Sequence, residues 1–308
     1  MLIMVAISGL GYGMGNPVTA KGLYKWFDIK LRGTVFGIKQ AAVTGGAAIA
    51  GVFFVYLSQK IGSFNAIRTI SLMIIFMVVL VFFLYTDPDK KEDISDDATV
   101  KDMRLTKSGL KELFMDRVLL IVFIIITTLG LAQGTIATFF LLYINEKLGY
   151  SLLVSGSLLT VVMVSGAAGR ILWGFLSDRL FCGNRKPALI LISFLAVLTV
   201  TILAFWTVTW PKWLFIPLVI GIGMTTVGWN SIVLVLVTEV CDSSKTASAV
   251  GLASTFGWIG LAMGPVAFGS LTDYFGYFHA WISLAVFCSI SFILCFFIPV
   301  LENESIVQ

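Results

Sequence analysis

The chain has 308 residues, of which 58% are apolar and only 12% are charged, and its formal net charge is +4. Soluble domains carry about 25% charged residues, and a soluble domain of this size could not hide so much apolar surface from water. This composition excludes a soluble enzyme and a disordered chain, and the small net charge without a basic stripe argues against binding of nucleic acid. We expect an all-α, multi-pass protein of the cell membrane, with the lipid bilayer as its surroundings.

Nine stretches are apolar and long enough to cross a bilayer as helices, which takes about 20 residues each. Runs such as residues 119–131 do not alternate as membrane strands would, so the spans are predicted to be helical. In chain order they are 1–23, 33–58, 67–85, 117–143, 152–176, 187–207, 213–238, 247–271 and 279–300. The one long hydrophilic stretch predicts a linker at 87–116. It separates a three-helix part (1–86) from a six-helix part (117–300), which a short tail (301–308) follows.

The lysines and arginines set the predicted orientation, because cytoplasmic loops of membrane proteins are rich in both. Fifteen of the 21 lie in or beside the loops after the first, third, fifth and seventh spans, and four lie in the other loops. The remaining two, Lys39 and Arg170, fall within spans. We therefore expect the four basic loops and the C-terminus to be cytoplasmic, and the N-terminus to be outside.

The sequence also matches itself, without a gap, at the separation of 214 residues between Asn16 and Asn230. Other matching pairs are Gly37 and Gly251, Gly46 and Gly260, Gly62 and Gly276, and Phe64 and Phe278. Parallel repeats of this kind are typical of two-bundle transporters, with chance as the alternative. In this register the first half is about a hundred residues shorter than the second, which at the usual span length is three helices. We expect the chain to correspond to the last nine helices of a twelve-helix protein.

The segment from Gly174 to Lys186 resembles the cytoplasmic loop motif of the major facilitator superfamily, G-x-x-x-D-R-x-G-R-[KR], between its eighth and ninth helices. Here Gly174, Asp178 and Arg179 are followed, after two extra residues, by Gly183, Arg185 and Lys186. Residues 26–37 are similar to the loop that joins helices four and five of that family, and residues 257–269 to its eleventh helix. The resemblance implies a fold of two six-helix bundles that work by alternating access.

The chemistry of this loop motif predicts a gate. Gly174 lets a neighbouring helix pack closely, and Asp178 can accept hydrogen bonds from a helix N-terminus or from an arginine. With Arg179 and Arg185, such contacts would fasten two bundles in one of two states. The alternative is a charged loop that only follows the positive-inside rule.

Arg170 lies about 12 Å deeper than Asp178 along the same predicted helix. Residues 169–178 resemble the eighth helix of the oxalate/formate antiporters, and the nitrate porters are similar, which implies that Arg170 binds a substrate carboxylate. A guanidinium suits a carboxylate because it can donate two parallel hydrogen bonds. The alternative is a gate arginine, opposite Glu239 at the end of the seventh span.

Lys39 lies about 10 Å into the second span and is either a second positive charge beside the substrate or a side chain that extends back to the interface. Polar residues of other spans complete the predicted cavity, with bonding to a neighbouring helix as the alternative for each. These candidates are Asn16, Gln133, Trp229 and Asn230.

Together these patterns predict a secondary active transporter for a small organic anion, coupled to a proton or a counter-anion. The alternative is a truncated, non-transporting remnant of such a protein. With no Cys-x-x-Cys pair, one histidine and no nucleotide loop, we expect no metal, no cofactor and no enzymatic activity. The sequence leaves the oligomeric state open.

The predicted orientation can be tested with single cysteines and a membrane-impermeant thiol reagent on intact cells. Asp97→Cys, in the linker, should resist labelling, and Ser63→Cys, between the second and third spans, should be labelled. The reverse pattern would overturn the orientation.

Overall fold

The computed structural model describes residues 2–84, 112–241 and 245–299, and the elements within these residues are all helical. The helices are α1 (Leu2–Trp26), α2 (Ile29–Ile61), α3 (Ser63–Leu84), α4 (Arg117–Glu146), α5 (Leu152–Arg179), α6 (Arg185–Ala204), α7 (Phe215–Ile222), α8 (Asn230–Val240) and α9 (Thr246–Cys295). The prediction of a helical protein is confirmed for these residues. The predicted tail 301–308 and most of the predicted linker 87–116 lie outside them.

Six helical segments among the described residues are long and apolar enough to cross a membrane. They are Ser63–Leu84, Arg117–Glu146, Leu152–Arg179, Arg185–Ala204, Phe215–Val240 and Thr246–Cys295. By contacts the chain divides into a larger unit, Met1–Ala41 with Asp96–Gln308, and a smaller unit, Ala42–Ser95. Helix α2 therefore contributes its first part to the larger unit, and that unit holds all the candidate site residues.

Helix α9 covers the last two predicted spans, and its backbone turns at one residue within it. At Gly276 the backbone has φ 80° and ψ 168°, a conformation that favours glycine. The turn between these two predicted spans is therefore made at a single glycine. Gly62, which the sequence repeat pairs with Gly276, also has φ 80° and lies between α2 and α3. The two copies of the repeat thus share a backbone turn as well as residue types.

The seventh predicted span is interrupted near its middle. Helix α7 ends at Ile222, a π-helical turn follows over Gly223–Val227, and α8 begins at Asn230. Such turns change the hydrogen bonding of the helix backbone and frequently mark functional sites. Here the carbonyl oxygen of Met224 accepts a hydrogen bond from the indole Nε1 of Trp173 at 2.8 Å, which fastens the turn to α5.

Glycines let α4 and α9 approach each other closely. A Cβ atom added to Gly130 would lie 2.7 Å from the carbonyl oxygen of Gly257, and one added to Gly260 would meet the carbonyl oxygen of Thr127. In lipid, helices gain little from hydrophobic burial against each other, so small residues that permit backbone contact favour their association.

This packing predicts unequal effects for two glycine substitutions. Gly260→Ala inserts a methyl group against the backbone of α4 and should destabilise the fold by about 1–3 kcal/mol. Gly156→Ala, on α5, adds a methyl group with no atom within 4 Å and should leave stability unchanged or raise it. Thermal unfolding in detergent measures both, and equal melting temperatures for the two variants would contradict the close packing of α4 and α9.

Candidate functional site

Arg185, the first residue of α6, binds two carboxylates and is 1% exposed. Its Nη1 lies 2.5 Å from Oδ1 of Asp178, at the end of α5. Its Nη2 lies 2.9 Å and its Nε 3.2 Å from Oε1 of Glu239, at the end of α8. One guanidinium therefore joins three helix ends, and the two carboxylates leave a formal charge of −1 on this group.

The start of α2 supplies positive potential to the same group. Asp178 accepts hydrogen bonds from the backbone N–H of Gly33 at 3.1 Å and of Thr34 at 2.7 Å, and from the hydroxyl of Thr34 at 2.7 Å. Gly33 and Thr34 lie in the second turn of α2, near the end at which the aligned peptide dipoles carry a partial positive charge that stabilises a carboxylate. We call these residues (Gly33, Thr34, Asp178, Arg185 and Glu239) the latch.

Beyond the latch, the backbones of α2 and α5 remain in contact along one face. A Cβ atom on Gly33 would lie 2.8 Å from the carbonyl oxygen of Gly174, and one on Gly37 would lie 2.9 Å from Cα of Ile171. We call this contact, from Gly33 to Gln40 on α2, the α2–α5 seam. Only glycine fits at its closest points, so the seam can form only where both helices carry small residues.

Arg170 lies at the inner end of the seam and is 5% exposed. Its Nη1 donates to the carbonyl oxygen of Gln40 at 2.7 Å, and its Nε donates to the carbonyl oxygen of Val227, in the π-helical turn, at 3.2 Å. Glu239 is bound by Arg185 rather than by Arg170. The reason is depth, because Arg170 lies two helical turns further in than the end of α5.

Lys39 and Asn16 form a second polar contact at this depth. The ammonium of Lys39 donates to Oδ1 of Asn16 at 2.7 Å, and Nδ2 of Asn16 lies 3.4 Å from the hydroxyl of Ser254 on α9. Both side chains are half-buried. In the part of the chain that the structure describes, no carboxylate lies within ion-pair distance of Lys39.

Gln133 and Asn230 form a third contact, with Nδ2 of Asn230 2.9 Å from Oε1 of Gln133. Ser231, next in the chain, donates to the carbonyl oxygen of Arg170 at 2.9 Å. Trp229 is 3% exposed, and its indole Nε1 has no hydrogen-bond partner among the described residues.

These contacts link the predicted substrate residues indirectly. Lys39 precedes Gln40, whose carbonyl oxygen binds Arg170, and Asn230 precedes Ser231, which donates to the carbonyl oxygen of Arg170. Trp229 joins the set only as the neighbour of Asn230 in the chain. We call the set the inner polar cluster: Asn16, Lys39, Gln133, Arg170, Trp229 and Asn230. Of the predicted gate residues, Gly174, Asp178, Arg185 and Glu239 meet at the latch or the seam. Arg179 does not, because its side chain is exposed beside the ring of Phe175.

Sequence reasoning missed the partners on α2, which are Gly33, Thr34, Gly37 and the carbonyl oxygen of Gln40. One signal was available: Gly33 and Gly37 are four residues apart, as are Arg170 and Gly174, which is the spacing of one helix face. The main-chain acceptors of Arg170 leave no such signal, because every residue carries a carbonyl group.

Comparisons with known proteins agree with this architecture. A family model described as the Major Facilitator Superfamily matches residues 1–265. The glycerol-3-phosphate transporter of Bacillus subtilis is 26% identical over 95% of this chain and 69% of its own length. An uncharacterised MFS-type transporter of Mycobacterium tuberculosis, Rv2994, is 25% identical over 92% of the chain, which spans 61% of that relative's length.

Among solved structures, the transporter FucP, crystallised in the outward conformation, aligns with a TM-score of 0.71. The alignment covers 92% of this chain and 71% of that protein, at 18% sequence identity. A structure of a single-residue variant of FucP, the fucose:proton symporter of Escherichia coli, gives a TM-score of 0.63 over 79% of the chain. At this level of sequence identity, the two alignments show that the chain shares the fold of these structures.

If the latch is an electrostatic unit, Arg185 contributes to the stability of the fold only while Asp178 and Glu239 carry their charges. Arg185→Gln leaves two buried negative charges without their guanidinium, which should destabilise the protein by about 3–5 kcal/mol. Adding Asp178→Asn and Glu239→Gln should restore much of the loss. Arg179→Gln, an exposed neighbour, serves as the control and should unfold like the wild type in thermal scans. If the triple variant were no more stable than Arg185→Gln alone, the latch would not be an electrostatic unit.

Proposed function

Because the chain belongs to the Major Facilitator Superfamily, we propose that it is a secondary active transporter that carries a small organic anion by alternating access. It is an integral, multi-pass membrane protein and not an enzyme. Movement of the anion would be coupled to a proton or to a counter-anion. The substrate-binding residues in this proposal are those of the inner polar cluster.

The observation that most favours an anionic substrate is the set of contacts that Lys39 makes. An ionised group at this depth is costly unless it is paired, and such groups mark substrate pathways in membrane proteins. Lys39 is held by the neutral amide of Asn16 and, within the described residues, has no carboxylate at ion-pair distance. A half-buried ammonium group whose partner is neutral would be stabilised by a negatively charged ligand, which favours an anionic substrate.

The rest of the cluster suits the polar oxygen atoms of such a molecule. Gln133 and Asn230 are half-buried amides that carry donors and acceptors, and Trp229 supplies a buried N–H group. One relative is named for glycerol 3-phosphate, an organic anion, and one structural neighbour for fucose, a neutral sugar. The cationic character of the cluster favours the first class of substrate over the second.

The latch and the seam support a state that is closed at one end. There α2, α5, α6 and α8 are joined by Arg185 and Asp178. With the basic loops on the cytoplasmic side and the N-terminus outside, as the positive-inside rule predicts, this state would face outward.

Lys39 variants test the proposed substrate class. In cells that express the full chain, Lys39→Gln should abolish or strongly reduce uptake of the transported anion, and Lys39→Arg, which keeps the charge, should retain part of it. Lys60→Gln, at the exposed end of α2, is the matched control and should transport normally. The probes are labelled oxalate, formate and glycerol 3-phosphate, with fucose as the neutral comparison.

Two outcomes would contradict the proposal. Uptake of fucose without uptake of any of the three anions would exclude an anionic substrate class. Uptake of an anion that Lys39→Gln leaves unchanged would exclude Lys39 as its ligand.

A further inference from the structure

The guanidinium of Arg170 connects two parts of the larger unit by hydrogen bonds to main-chain oxygens. One bond runs to the carbonyl oxygen of Gln40 on α2 and the other to the carbonyl oxygen of Val227 in the π-helical turn. We infer that Arg170 is a second fastening of the α2–α5 seam, at mid-depth, separate from the latch. The inference rests on alternating access as proposed above, because alternating access requires α2 and α5 to separate and the bond of Arg170 would oppose that separation.

The positions of the two fastenings along α2 support this role. The latch holds Gly33 and Thr34, and Arg170 holds Gln40, seven residues or about 10 Å further along the helix. Between them, Gly37 lies against the backbone of α5 at Ile171. The seam is therefore fastened by polar bonds at both ends and closed by glycine contacts between them.

Burial makes the inner fastening strong. In the closed seam Arg170 is 5% exposed, so its bond to Gln40 is shielded from water and is stronger than an exposed bond of the same kind. Separation of α2 from α5 would remove the carbonyl oxygen of Gln40 from Arg170 while leaving that of Val227 in place, because α5 and the π-helical turn pack directly on each other. Opening of the seam therefore carries an electrostatic cost at Arg170 in addition to the cost at the latch.

A purely structural role predicts something different. If Arg170 only stabilised the packing of α5 on the π-helical turn, its loss would lower stability without moving α2. If it fastens the seam, its loss moves α2 away from α5. Because the acceptor on α2 is a main-chain oxygen, the side chain of Gln40 should not matter in either case.

Electron paramagnetic resonance distances between two spin labels separate these roles. The labels are placed at Lys30→Cys, at the start of α2, and at Arg179→Cys, at the end of α5, both exposed and outside the latch. Cys182 and Cys241 are replaced by serine, and the full chain is measured in lipid nanodiscs without any added solute. The measurement needs no substrate, so a failure of the proposed transport would not affect it.

The wild type should give mainly a short distance. Arg170→Gln should raise the ratio of long to short distances about tenfold, the effect expected for loss of one hydrogen bond to a charged group. Arg170→Lys should give an intermediate ratio, because an ammonium lacks the planar fork that reaches both carbonyl oxygens. Gln40→Met is the matched control and should match the wild type.

Three results would overturn the inference. Arg170→Gln could lower the melting temperature yet leave the distances unchanged, which would make Arg170 a packing residue. Gln40→Met could change the distances as much as Arg170→Gln, which would place the acceptor in the side chain. If Arg170→Gln does not fold, the test uses Arg170→Lys instead. The third overturning result is then a distance distribution for Arg170→Lys that equals that of the wild type.

Discussion

A buried cation must find its acceptors inside the protein, and this constraint orders the structure. Arg185 meets it with two carboxylates, Arg170 with two main-chain carbonyl oxygens, and Lys39 with one neutral amide oxygen. The three sites differ in the acceptors that they offer. Arg185 fastens helix ends, Arg170 connects helices at mid-depth, and Lys39 is the cation that we propose for binding a solute.

Helix α2 takes part in the contacts of all these polar groups. Its N-terminus is bound by Asp178, its glycines lie on the backbone of α5, and its residues at mid-depth meet Arg170 and Asn16. The anion proposed at Lys39 would thus bind one residue away from an acceptor of Arg170. The proposed substrate site and the proposed inner fastening of the α2–α5 seam therefore occupy the same turn of one helix.

The sequence predicted that the described elements are helical, since 20-residue apolar runs leave little choice of structure. Nine membrane-crossing helices stay a prediction, because six segments of the described residues are long and apolar enough to span a bilayer. It also predicted that Asp178 could bind a helix N-terminus or an arginine, and the repeat relating Gly62 to Gly276 reappears as a shared left-handed turn. It did not identify the partners, because Thr34 and Asp178 are 144 residues apart and nothing local pairs them. The alternative that placed Arg170 opposite Glu239 was wrong for a related reason: depth depends on where each helix ends, and Arg185 begins α6 at the level of Glu239.

The central claim is that the inner polar cluster binds an organic anion, and ligand-dependent stability of the purified wild-type chain tests it most directly. A molecule that binds only the folded state raises the melting temperature with its concentration. The account predicts that at least one of glycerol 3-phosphate, oxalate and formate raises Tm in a saturable way, while glycerol and fucose do not. A saturable rise in Tm with glycerol or fucose, together with no rise for any of the three anions, would contradict it.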